Sequence, residues 1–165
     1  MVVFRCRRCH TELTAPVREV PLPDADDAPA PYELHGDECP PRMLPGTFAF
    51  DPADADEQAV RRRTPGEALG LRKAGLSGVV LARADVRGTR LSPLRGRRNG
   101  CCGLDGCDGP NLVCRRCGAE VATERSDCWT RQEVVLVPAA VEVLDANAET
   151  PSGASAPDAA PNCQL

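Results

Sequence analysis

Two stretches of this chain nearly coincide: CRRCHTELTA (6–15) and CRRCGAEVAT (114–123). Each is a Cys-Arg-Arg-Cys turn followed by Glu and an aliphatic residue at matching offsets. A C-x2-C pair can deliver two sulfurs to one metal ion from a single tight turn, and zinc prefers four such ligands in a tetrahedron. Two matching pairs therefore predict two knuckles that are halves of one site, with Cys6, Cys9, Cys114 and Cys117 as ligands and zinc as the ion. Gly118 directly follows the second pair and suits the turn, because glycine tolerates positive φ. His10 holds that place in the first pair, which fits the turn less well. The 104 residues between Cys9 and Cys114 must leave the site and return to it.

A second cysteine-dense stretch, NGCCGLDGCDGPN (99–111), is rich in glycine and reads as a loop that can wrap closely. Cys101 and Cys102 are adjacent, so the two sulfurs are expected to serve different ions, or only one of them to serve. Cys128, in SDCW, follows the second knuckle, and Trp129 is expected to cover the cluster. Cys101, Cys102 and Cys128 are thus candidates for a second site that lacks a fourth ligand, giving one or two zinc ions per chain. A competing set joins Cys102, Cys114, Cys117 and Cys128 through shorter loops, which cost less entropy to close. Cys6, Cys9, His35 and Cys39 would then hold the other ion, since HGDEC offers an H-x3-C spacing. In a third arrangement only one ion binds. The matched halves favour the first arrangement.

The chain needs such a staple. Its 42% hydrophobic content leans on alanine and cysteine, and aromatic residues are 3%. The aromatics are Phe4, Tyr32, Phe48, Phe50 and Trp129. A core this thin calls for disulfides or metal. The N-terminal stretch has no apolar run of signal-peptide length, and nothing approaches the roughly 20 apolar residues of a membrane span. The expected compartment is the cytoplasm, where thiols stay reduced and C-x2-C pairs bind zinc rather than close disulfides.

Charge falls in blocks. Residues 18–58 carry a net of −9 and 61–98 a net of +9, inside a total of −4. Of 20 Lys+Arg all but Lys73 are Arg, a bias that follows codon composition before function. Residues 23–31 and 51–67 read as solvated insertions, and 145–165 as a disordered, proline-rich tail that carries Cys163. Between them VVFR, TELTAPVREVPL, GTFAFD, GVVLARADV, NLVC, AEVAT and WTRQEVVLV read as short strands. No stretch has a long 3.6-residue apolar period. The expected fold is a small, mostly β, zinc-ribbon-like domain over 1–144.

Knuckles carried on separate hairpins and sharing one ion make the chain similar to the zinc-ribbon class. CRRC, NGCCGLDG, DGPNLVCRRCGAEVAT and SDCW also make it resemble an uncharacterised group of short cysteine-rich actinobacterial proteins. That second resemblance implies no activity.

Chemistry beyond structural zinc finds little support in the residues. Two histidines and no H-E-x-x-H argue against a catalytic metal. His10 and His35 read as solvated, and Asp105 and Asp108 as a polar turn that is too sparse in oxygen ligands for calcium. A redox C-x-x-C normally opens a helix, whereas strand-like sequence follows both pairs here. The expectation is a non-enzymatic adaptor that binds another protein. The first alternative is a nucleic-acid-binding ribbon using 61–98, although that block lacks aromatics for base stacking. A thiol redox protein is the second.

Overall fold

The computed structural model describes residues 1–24, 27–35, 39–51 and 78–146. The 51–67 insertion beyond Asp51, the Arg61–Arg63 run and the tail beyond Ala146 with Cys163 lie outside the described residues. Among the described residues the fold is all β, with no α-helix and short 3₁₀ turns. No helix there is long and apolar enough to cross a membrane.

Nine strands build the domain: β1 (Val2–Cys6), β2 (Arg18–Glu19), β3 (Thr47–Asp51), β4 (Gly78–Leu81), β5 (Thr89–Leu91), β6 (Leu112–Cys114), β7 (Glu120–Arg125), β8 (Glu133–Leu136) and β9 (Val141–Asp145). Seven of them form one sheet in the order β2-β3-β4-β8-β7-β6-β5. Only β2 runs parallel to its neighbour. β1 and β9 make a separate antiparallel pair. The segment after the first knuckle ties the two sheets together. Single bridges join Glu12 to Arg5, Thr14 to Val86 and Val17 to Val2.

The alternation of side chains along a strand explains the core. β4 and β8 lie in the middle of the sheet and are buried on both faces, so GVVL and EVVL read as nearly unbroken apolar runs. Val79, Leu81, Val134 and Leu136 face the main core, with Phe4, Leu13, Leu112 and Val121. Val80 and Val135 face the other side, with Met43, Ala49 and Ala82. Phe4 and Phe48 meet edge to face at 5.1 Å, a favourable arrangement of ring quadrupoles. Cys6 and Cys114 are wholly buried members of the main core, so the first cluster is part of the hydrophobic interior.

Several expectations need correcting. TELTAPVREVPL contributes only the two residues of β2 and isolated bridges. GVVLARADV leaves the strand after Leu81 and turns through a 3₁₀ segment at Arg83–Asp85. β5 and β9 were not anticipated. β9 runs through Asp145, and the Ala146 N–H donates to the Met1 carbonyl, so order extends past the composition-based boundary at 145. The acidic stretch 23–31 is also more than a linker. Ala28 and Ala30 are buried, and the Glu33 carboxylate accepts the Ala30 N–H at 2.8 Å.

Candidate metal centres

Each C-x2-C pair sits at the turn of a hairpin, and the two turns are built alike. In the first, the His10 N–H donates to the Cys6 carbonyl at 2.7 Å and the Cys6 N–H to the Thr11 carbonyl at 2.8 Å. In the second, Gly118 donates to Cys114 at 2.9 Å and Cys114 to Ala119 at 2.8 Å. The register agrees as well, with Arg5 opposite Glu12 and Val113 opposite Glu120. Outside each hairpin lies a flanking strand, which puts Cys6 opposite Val141 and Cys114 opposite Thr89. Arg7 and Arg115 donate side-chain N–H groups to the carbonyls of those same two residues. The sequence repeat is therefore a repeat of three-stranded architecture, with the long insertion between its copies.

His10 departs from the expectation that it fits the turn poorly. It adopts φ 57°, close to the 73° of Gly118. A non-glycine residue in this region carries a cost on the order of 1 kcal/mol, which the hydrogen bonds of the turn and the flanking strands offset. The His10 side chain points away from the cysteines, and its Nδ1 lies 2.6 Å from Glu142 Oε1.

The two turns bring Cys6, Cys9, Cys114 and Cys117 together, with all four sulfurs within 4.8 Å of one another. Two contacts cross between the knuckles: 3.6 Å from Cys6 to Cys117 and 3.5 Å from Cys9 to Cys114. A zinc–sulfur bond of about 2.3 Å implies a tetrahedral edge of about 3.8 Å, so this donor set fits a tetrahedral ion. No disulfide joins any of the nine described cysteines. Burial pushes the Cys6 thiol up to about 12, while N–H groups of Arg8 and Cys9 act in the opposite direction. Cys9 is lowered to about 6, chiefly by the Thr11 hydroxyl and then by the Thr11 backbone. Burial and local hydrogen bonds therefore push the two thiols of the first knuckle in opposite directions.

Cys101, Cys102 and Cys128 form a second group, also with sulfurs within 4.8 Å. As in the favoured arrangement, the adjacent Cys101 and Cys102 join one group, with their sulfurs 3.8 Å apart. The cause is Asp127, whose carboxylate accepts the N–H groups of Cys101, Cys102, Gly103 and Cys128. Those hydrogen bonds, led by Cys102 and Cys101, lower its pKa to about 2. Cys128 is raised to about 12, first by its hydrogen bond with Cys102 and then by burial. Trp129 does not cover this group. It is 65% exposed and stacks on Tyr32 with ring centroids 4.5 Å apart.

His35 and Cys39 are exposed and join neither group. The arrangement that pairs them with Cys6 and Cys9 is not the one the fold assembles, and neither is the set mixing Cys102 and Cys128 with Cys114 and Cys117. Replacing Cys39 with Ser is accordingly expected to change stability by less than about 0.5 kcal/mol, as read from the urea unfolding midpoint. Sequence reasoning missed Asp127 and Thr11. An acid beside Cys128 and a hydroxyl two residues after Cys9 were visible, but their direction depends on the folded loops.

No protein-family model matches the chain, and neither a curated protein nor a solved structure matches it.

Proposed function

We propose that the Cys6–Cys9–Cys114–Cys117 group is a structural zinc centre of zinc-ribbon-like character. In this reading the protein is a non-enzymatic adaptor of the reducing cytoplasm. The observation that carries the metal reading is the pair of turn-matched knuckles, which bring four sulfurs within 4.8 Å of one another. Four thiolates leave no position for water or substrate. A thiol redox role has less support, because the sulfurs of one pair also contact those of the other, which gathers four thiols rather than an isolated pair. Each pair is also followed by strand or bridge, without the helix N-terminus that activates redox pairs.

The adaptor reading draws on the exposed Tyr32–Trp129 stack, since Trp and Tyr are enriched at protein interfaces. The rival is nucleic-acid binding through 61–98, favoured by the exposure of Arg87, Arg90, Arg95 and Arg98. Two other arginines of that block are engaged: Arg83 pairs with Glu124 at 2.8 Å and Arg97 with Glu120 at 3.2 Å. Salt separates the two readings, because phosphate contacts release counterions. Metal analysis of reduced protein is expected to find at least one zinc per chain. Nuclease-treated pull-downs are expected to retain a protein partner at moderate salt and to lose it in a Tyr32→Ala/Trp129→Ala variant. Tight DNA or RNA binding that collapses with salt would replace the adaptor reading with its rival.

A further inference from the structure

We propose that Cys101, Cys102 and Cys128 form an open three-thiolate site for a zinc-class divalent ion, whose fourth ligand is exchangeable. Three features set this site apart from the buried four-cysteine centre.

The first is preorganisation. Asp127 is 4% exposed and gathers the N–H groups of all three cysteines onto one carboxylate. The loop is clamped from the other side as well. The Ser126 and Asp127 N–H groups donate to the Leu104 carbonyl, at 2.8 and 3.1 Å. A Cβ on Gly103 would stand 2.2 Å from the Ser126 carbonyl oxygen, so only glycine permits this approach. The backbone that carries the three sulfurs is thus held in place before any ion arrives.

The second is donor count. Among the described residues no fourth His, Cys, Asp or Glu joins the three sulfurs. The Asp127 carboxylate lies beside the group, but its oxygens accept the N–H groups of Cys101, Cys102, Gly103 and Cys128. Three thiols would bind a divalent ion by releasing three protons, leaving a complex of net charge −1 with a neutral fourth ligand. Zinc sites with three protein ligands keep such a position for water or an incoming group.

The third is access. Cys101 and Cys102 are exposed, whereas Cys6 and Cys114 are fully buried. An incoming thiol, imidazole or water can therefore reach an ion here. A site of this kind can accept or pass on an ion by ligand exchange, which a closed four-thiolate centre resists.

The test is titration of the reduced full chain with Co(II), a spectroscopic stand-in for zinc, reading the visible d–d and sulfur-to-cobalt bands. Two equivalents are expected. Added imidazole should shift the bands of one equivalent and leave the other unchanged. Cys128→Ser should retain only the imidazole-silent equivalent. Cys101→Ser, in an exposed loop position, should do the same and serves if the first variant fails to fold. The proposal is overturned by a single, silent equivalent in the wild type, which would leave the structural centre intact. It is overturned equally if both equivalents are silent, since a ligand from the chain would then close the site. Retention of the responsive equivalent in both variants would also sink it. Binding of no cobalt at all would sink both this site and the structural centre.

Discussion

Chelating metal from the proposed Cys6–Cys9–Cys114–Cys117 zinc centre is expected to unfold the domain, and Cys114→Ser is expected to do the same. Cys6 and Cys114 are fully buried in the main core among Phe4, Leu13, Leu112 and Val121. With an ion, four thiolates are compensated. Without it, the core must accommodate four sulfurs whose cross-knuckle contacts are 3.5–3.6 Å, with no cation between them. The centre also joins the β1 and β6 hairpins, so its loss opens both. Structural zinc contributes about 10–16 kcal/mol of apparent binding free energy in zinc-finger peptides. A whole domain is stable by only about 5–15 kcal/mol. Circular dichroism during chelator titration should therefore show the β signal lost together with the metal, and Cys114→Ser should lack a cooperative thermal transition. Cys101→Ser should keep that transition. A metal-free protein that still melts cooperatively would show that the apolar core suffices without the ion.

The second large effect is expected at Glu133, a residue the sequence reading did not single out. Glu133 is 1% exposed, on β8. Its two oxygens accept from Arg42 at 3.0 Å and from Arg125 at 2.7 Å. Arg42 is itself buried and reaches Asp51 at 3.4 Å. Glu133→Gln removes the charge that two guanidinium groups share while keeping the volume. Breaking a buried pair from one side costs about 3–5 kcal/mol, because the remaining charge is left uncompensated. The expected result is a urea midpoint shift of that size at unchanged slope. Arg5→Gln, which breaks an exposed pair with Glu12, should cost no more than about 1 kcal/mol. Equal effects for the two variants would mean that the Glu133 network is hydrated and contributes little.

What the sequence determined by itself was local. The C-x2-C pairs, their shared fillers and the following aliphatic residues specified two turns. Those turns form in the same hydrogen-bonding pattern even where His10 replaces glycine. The apolar runs GVVL and EVVL specified strands because a central strand is buried on both faces. Pairing order, by contrast, was decided only in three dimensions. TRL at 89–91 is too short to mark a strand, and the Val-Glu-Val alternation of VEVLD at 141–145 was passed over beside the proline-rich tail. They become strands because a hairpin edge is available beside β6 and β1. The same holds for the second cysteine group. The residues of that group were legible as candidates, but whether adjacent cysteines could share a site was not. They converge because Asp127, 25 residues after Cys102, draws their N–H groups together. Arg42 and Glu133 lie 91 positions apart and meet only when β8 is covered. Spacing encodes a turn because its hydrogen bonds close within a few residues. Contacts between distant residues depend on which surfaces remain to be buried after the turns and strands have formed, and only the assembled sheet supplies that.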